Sequence, residues 1–268
     1  MTLLQAFILG VVEGVTEYLP ISSTGHLILV SRALGLEGEA SKSFDVVIQL
    51  GAILAVAVHY RSLLAARFRG LFTRDPAAFR LLTSLMIAFA PAAAMGLLLH
   101  KLIKAYLFGP LPVAGALVVG GVLMIAVERV RRARGTMGAT GIDQVTWRRA
   151  LVIGIGQCCS LWPGASRSMS TMVAGQIAGL STATAADFSF LLGLPTLGAA
   201  TVYDLFKARH ELLTGVGPGP LLVGMVVSFL VAWAVIAAFV RYLQRRGLEP
   251  FGYYRILLGG VVLWVTLR

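Results

Sequence analysis

Long apolar runs separated by short polar segments dominate the chain. Six are long enough to cross or nearly cross a bilayer: 44–60, 81–99, 111–127, 187–206, 219–240 and 251–267. Their apolar character is continuous and does not alternate, so the pattern predicts helices and argues against a transmembrane β-barrel. Two further apolar regions, 3–34 and 149–180, are each broken in the middle by proline and small hydroxyl residues, LPISSTGH at 19–26 and WPGASRSMST at 162–171. Each half is too short to span alone. Helix, break and second helix predict a re-entrant hairpin that returns to its own side.

The two halves of the chain share this order of features. AFILG (6–10) parallels ALVIG (150–154), Leu19-Pro20 with Ser23 parallels Trp162-Pro163 with Ser166, and FDVVIQLGAILA (44–55) parallels FSFLLGLPTLGA (188–199), at an offset of 143 or 144. The predicted organisation is a single membrane domain over 1–268. Its first repeat covers 1–128, with hairpin 3–34 and three spans, and its second covers 149–268, with hairpin 149–180 and three spans. Three spans is an odd number, so the second repeat is inverted and the hairpins enter from opposite faces, their tips meeting near mid-membrane.

Composition supports the class. Of 268 residues, 57% are hydrophobic and 13% charged, against about 25% charged in a soluble domain, and mean hydropathy is +0.84. The fold class is therefore an all-α polytopic integral membrane protein, six transmembrane helices plus two re-entrant helical hairpins in an inverted-topology repeat. The net charge of +11 does not point to nucleic acid, because the basic residues sit in the connections between spans. The segments 61–80, 128–149 and 241–250 carry five, six and three Arg, fourteen in all. The opposite side carries seven basic residues: Arg32, Lys42, Lys101, Lys104, Lys207, Arg209 and Arg268. The positive-inside rule places the fourteen in the cytoplasm and both termini outside. The N-terminal stretch lacks a basic leading region and carries two Glu, unlike a signal peptide. Cys158 and Cys159 are adjacent, lack metal-ligand spacing and read as small buried apolar residues that do not bridge.

Polar residues inside apolar sequence mark the chemistry. Glu13 and Glu17 lie in the first arm of hairpin one, and Ser22, Ser23, Thr24 and His26 follow its break. Ser166, Arg167, Ser168, Ser170 and Thr171 follow the break of hairpin two. Two Glu and one Arg at membrane depth would cost on the order of 8–10 kcal/mol unpaired. Such groups persist when they pair, face water or bind a ligand. Glu13 and Glu17 are four apart and share a helix face, where an all-oxygen pair suits a hard divalent ion, Mg²⁺ or Ca²⁺; an ion pair with Arg167 is the structural alternative. Two helix N-termini, an Arg fork and several hydroxyls fit phosphate. His26 is either a proton donor and acceptor or a hydrogen-bonded structural residue. His59, His100 and His210 flank spans. Together these groups predict an intramembrane phosphatase or a binder of phosphorylated lipid.

The motifs EGVTE (13–17), LPISSTGH (19–26) and PGASRS (163–168) with Thr171 resemble those of the bacterial undecaprenyl-diphosphate phosphatases of the bacitracin-resistance type. The resemblance runs from about residue 5 to the C-terminus. It implies a multi-pass enzyme of the bacterial inner membrane that converts undecaprenyl diphosphate to undecaprenyl phosphate and phosphate. That reaction recycles the carrier for peptidoglycan synthesis and confers bacitracin resistance. It implies a Mg²⁺ or Ca²⁺ cofactor and an active site on the outer, periplasmic side. By motif match, Glu13 and Glu17 serve metal or water, Ser23 or water is the nucleophile and His26 is the acid or base. Arg167 holds the diphosphate, helped by Ser22, Thr24, Ser166, Ser168 and Thr171. The partners are the lipid substrate and the bilayer, and a homodimer is compatible with it. The chain departs from the family pattern at Met169, where glycine is usual and a side chain would narrow the second tip, and at Thr182, where a basic residue is usual. The rival reading is a transporter or flippase of polyprenyl phosphate, since broken helices in inverted repeats are common in transporters.

Overall fold

The computed structural model describes residues 1–36, 38–107, 109–136, 138–211 and 215–267, apart from the side chains at 39, 40, 42, 100, 104, 200 and 203–211. The expectations for Lys42, Lys104, Lys207, Arg209, Arg268, His100 and His210 lie outside the described residues. Among the described residues the regular structure is helical, with one isolated bridge between Ala139 and Leu180.

Region 3–34 folds as α1 (Leu3–Thr16), a break and α2 (Ser23–Ala33). Region 149–180 folds as α7 (Trp147–Gln157), a 3₁₀ turn at Cys158–Leu161, a second break and α8 (Arg167–Ile177). At 1.5 Å per residue the arms are about 16–21 Å long, short of a hydrocarbon core of about 30 Å. Between the two hairpins the chain forms α3 (Glu39–His59), α4 (Arg61–Phe72), α5 (Pro76–Tyr106) and α6 (Pro110–Ala133). After the second come α9 (Thr182–Glu211), α10 (Pro218–Leu243) and α11 (Glu249–Leu267).

The six predicted runs fall on α3, α5, α6, α9, α10 and α11. Of the described helices, four are long and apolar enough to cross a membrane alone, α5 (over Pro76–Leu99), α6, α10 and α11, and a fifth if α3 and α4 count together. One expectation is corrected: 61–80 is not simply a loop. Its first part is α4, turned 71° from α3 at Tyr60. Five Arg residues in this connection disfavour continuing α3 deeper into hydrocarbon.

The three Arg-rich segments meet on one face. Arg67 of α4 pairs with Asp143 at 2.7 Å, and Arg80 donates to the Asp143 carbonyl at 3.2 Å. Arg129 and Arg132 at the end of α6 pair with Glu249 at 3.0 and 3.1 Å. These contacts join 61–80, 128–149 and 241–250.

Helix pairing is reciprocal between the halves. α1 lies on α10 and α7 lies on α5, while α6 and α11 pack on each other. Gly10 ends the first AFILG motif, and a Cβ there would lie 2.7 Å from the Gly224 carbonyl of α10. Gly154 ends the matching ALVIG motif, and its Cβ would lie 2.7 Å from the Ala88 carbonyl of α5. The repeated glycine thus does the same work twice, letting backbones approach where small residues replace the missing hydrophobic drive between helices. The cysteines are free, as expected, but not buried: Cys159 is exposed where α7 gives way to its 3₁₀ turn.

Candidate active site

The two breaks have the same local construction. Ser22 caps α2, its Oγ accepting from the Gly25 amide at 3.4 Å, and Ser166 caps α8, its Oγ accepting from the Met169 amide at 3.3 Å. Both serines sit at positive φ, 72° and 70°. A non-glycine residue held there costs about 1–3 kcal/mol, which the surrounding contacts must offset. Each cap turns the chain abruptly from the break into a helix whose first N–H groups and positive dipole end lie at the break.

The tips touch directly. Ser168 Oγ donates to the Leu19 carbonyl at 3.0 Å. Arg167 Nη2 donates to Glu17 Oε1 at 3.1 Å, with both side chains buried. The other Glu17 oxygen, Oε2, accepts from Ser23 Oγ at 2.7 Å. A hydroxyl, a carboxylate and a guanidinium therefore stand in line across the two breaks. Behind Arg167, Nη1 donates to the Ser189 carbonyl at 2.8 Å, and the guanidinium lies 5.8 Å from the centre of the Tyr18 ring. Gly193 makes room: a Cβ there would come within 2.9 Å of Arg167 Nη2.

Other expected residues have separate positions. Thr171 has no exposed surface; its hydroxyl donates to the Arg167 carbonyl at 2.8 Å and accepts from Ser189 Oγ at 2.6 Å. Ser168 and Thr171 therefore face inward and hold the second tip, whereas Ser166 is only half-buried. Ser170 donates to the Ser166 carbonyl at 2.9 Å. His26 is held by partners other than Glu17. Its Nδ1 bonds the Ser22 carbonyl at 2.8 Å, so this nitrogen carries the proton, and Nε2 accepts from Tyr254 of α11 at 2.7 Å. Met169 does not narrow the tip. It is buried in the core with Met124 and Met172, and its methyl abuts Gly120 of α6. Thr182, in place of the usual basic residue, accepts from Gln176 Nε2 at 2.9 Å, and the same amide donates to Glu128 at 3.0 Å.

Glu13, 1% exposed, keeps one carboxylate oxygen, Oε1, without a hydrogen-bond partner. It lines a cavity of about 150 Å³ together with Ser23, Thr24, Asp45 and Gln49. Leu27, Ile28 and Asp45 also line an adjoining cavity of about 330 Å³ that reaches Arg32 and Gly38 in the α2–α3 connection. That connection lies at the end of α3 remote from α4 and the Arg-rich face.

One buried arginine was not foreseen from the sequence. Arg255 of α11 has no exposed surface and donates to carbonyls of both tips: Nη1 to Pro20 at 3.2 Å and Nη2 to Gly164 at 3.0 Å. Nη2 also reaches the Ala116 carbonyl of α6 at 3.1 Å. An Arg inside an otherwise apolar span was the available signal.

A family model described as "Bacitracin resistance protein BacA" matches residues 6–261, nearly the whole chain. The chain belongs to this family. A protein of Sorangium cellulosum named "Undecaprenyl-diphosphatase" is 60% identical over 264 residues, 97% of this chain and 85% of that relative. One of Rhodospirillum rubrum named "Undecaprenyl-diphosphatase 2" is 47% identical over 97% of this chain and 94% of its own length. A Thermoanaerobacter pseudethanolicus protein named "Undecaprenyl-diphosphatase" is 45% identical over 97% and 96%. The BacA match covers the breaks of both hairpins and every residue of the line from Ser23 through Glu17 to Arg167.

Proposed function

We propose that the chain is an undecaprenyl-diphosphate phosphatase. It would release inorganic phosphate from the lipid diphosphate and leave undecaprenyl phosphate in the membrane, recycling the carrier for peptidoglycan synthesis and conferring bacitracin resistance. The observation that carries this reading is the line Ser23–Glu17–Arg167 across two helix N-termini, its carboxylate and guanidinium both buried. A hydroxyl hydrogen-bonded to a carboxylate is a nucleophile with its base, and the guanidinium beside it is an anion clamp. The relatives' names agree with it. Arg167 and the first turns of α2 and α8 would bind the terminal phosphate, with Thr24 and Ser166 at the rim. Glu17 would take the proton of the attacking group, Ser23 Oγ or a water held in its place. Attack on the terminal phosphorus breaks its bond to the bridging oxygen, and undecaprenyl phosphate leaves; attack by water gives inorganic phosphate directly, whereas attack by Ser23 would give a phosphoserine that a water, deprotonated by Glu17, would then hydrolyse to phosphate and the free serine. His26, anchored on the Ser22 carbonyl, would exchange protons with the leaving phosphate. Ser22, Ser168 and Thr171 would hold the tips in shape.

The cation implied by the family, Mg²⁺ or Ca²⁺, is part of the proposal. Among the described residues no group of three or more His, Cys, Asp and Glu is gathered as an all-protein metal site. A hard cation commonly takes one or two carboxylates and completes its shell with phosphates and water. The donors fit that case: Glu13 Oε1 is buried and unpartnered, whereas both Glu17 oxygens are already engaged by Arg167 and Ser23. Glu13 would hold the ion beside Glu17, and the ion would neutralise the charge of the diphosphate.

The halves would form inverted repeats in the bacterial inner membrane, completing six spans and two re-entrant hairpins. Reciprocal pairing of α1 with α10 and of α7 with α5 supports that layout. The Arg-rich face would be cytoplasmic and the site would open toward the periplasm. The cavity running from Asp45 to Gly38, away from that face, supports the direction. All these groups come from one chain, so the reaction does not call for a homodimer. Measuring phosphate release from undecaprenyl diphosphate together with lipid flux across vesicles tests the reading; flux without release would favour a flippase.

A further inference from the structure

We propose that Asp45 supplies the second protein carboxylate of the cation site, facing Glu13 across the cavity beside Ser23. The inference rests on the reading that a hard cation serves this site. Asp45 Oδ1 and Glu13 Oε1 are both buried without hydrogen-bond partners, and both residues line the same cavity of about 150 Å³. Two desolvated carboxylates sharing one small space repel each other unless a cation or a proton lies between them. A cavity of this size holds one hydrated or phosphate-bound ion, and its remaining polar lining, Ser23, Thr24 and Gln49, again offers oxygen.

The internal repeat gives an independent argument. Phe44-Asp45 and Phe188-Ser189 hold the same place in the repeated segment, at an offset of 144. Ser189 contacts Arg167 and Thr171 of α8. At the offset of 143 that pairs the tips, the matching residues of α2 are Thr24 and Ile28, and both line the cavity with Asp45. The same wall is therefore built twice. Over the second tip it carries a serine that steadies a guanidinium; over the first it carries a carboxylate with nothing to steady. The two halves thus divide the work: α8 and α9 hold the anion, and α1 and α3 hold the cation.

The test is Mn²⁺ binding by the purified full chain in detergent, followed by electron paramagnetic resonance, for wild type, Glu13→Gln, Glu17→Gln, Asp45→Asn and Asp45→Ser, the last being the residue of the matching position. Mn²⁺ reports a hard oxygen site. Loss of one anionic ligand is expected to raise the dissociation constant about tenfold or more for Glu13→Gln and for both Asp45 variants, and distinctly less for Glu17→Gln. Size-exclusion profiles matching wild type identify the folded variants, and either Asp45 variant suffices. Wild-type affinity in a folded Asp45 variant, with binding lost in Glu13→Gln, overturns the role of Asp45 and leaves the proposed function standing. A wild type that binds no Mn²⁺ and releases phosphate in excess chelator overturns the cation reading and this inference together.

Discussion

Replacing Arg255 with methionine tests whether the two tips are held together from α11. The side chain makes three hydrogen bonds, to the carbonyls of Pro20, Ala116 and Gly164. A bond to a charged group contributes about 1.5–3 kcal/mol, so the three contribute about 4.5–9 kcal/mol. Removing the charge recovers the cost of an Arg within a span, about 2.5–3.5 kcal/mol. The difference predicts a loss of about 1–6.5 kcal/mol. Methionine fills most of the volume beside Gly120, which separates lost bonding from a cavity. Unfolding free energy follows from SDS titration in mixed micelles, and phosphate release from undecaprenyl diphosphate is measured on the same sample. Because Pro20 and Gly164 belong to opposite tips, turnover should fall about a hundredfold, the scale of a 1 Å misplacement. Arg255→Lys, with one nitrogen, should fall between wild type and Arg255→Met. Wild-type stability and turnover in Arg255→Met would refute the reasoning.

Glu17→Gln loses both the charge facing Arg167 and the base beside Ser23; turnover should drop at least about a hundredfold while the protein still folds, read by phosphate release and size exclusion. Ser23→Ala distinguishes the attacking group: near-wild-type turnover assigns attack to water, and a loss of about a hundredfold or more assigns it to the hydroxyl. Gly193→Ala places a methyl 2.9 Å from Arg167 Nη2 and should lower kcat/KM about tenfold by shifting the guanidinium, with a smaller change in unfolding free energy. Gly154→Val drives a side chain into the Ala88 carbonyl and should destabilise by about 1–3 kcal/mol, measured by SDS titration.

Much of this site was legible because broken apolar sequence leaves a clear trace. Proline followed by small hydroxyl residues located both breaks, and the spacing of Glu13, Glu17 and Arg167 around them pointed to paired charges. The paired caps at Ser22 and Ser166 followed from the same motifs, although their shared positive φ is visible only in three dimensions. Arg255 escaped because a single Arg in GYYRILLGG resembles a side chain snorkelling to the surface, and only the fold brings it between Pro20 and Gly164. Asp45 opens a long apolar run and so reads as the polar start of a span; its value depends on Glu13, brought alongside by packing of α1 against α3. Met169 looked like an obstruction because its rotamer and the facing Gly120 are tertiary facts. α4 was hidden by its arginines, which look like a loop until the chain turns at Tyr60.

The most direct test of the central claim is phosphate release from undecaprenyl diphosphate by the purified chain in Mg²⁺, with Arg167→Ala measured alongside. Wild type should release phosphate, and the variant should lose at least about a hundredfold in kcat/KM because the diphosphate has lost its clamp. Equal release by wild type and Arg167→Ala, or none by a folded wild type, would contradict a phosphatase site built between the two hairpin tips.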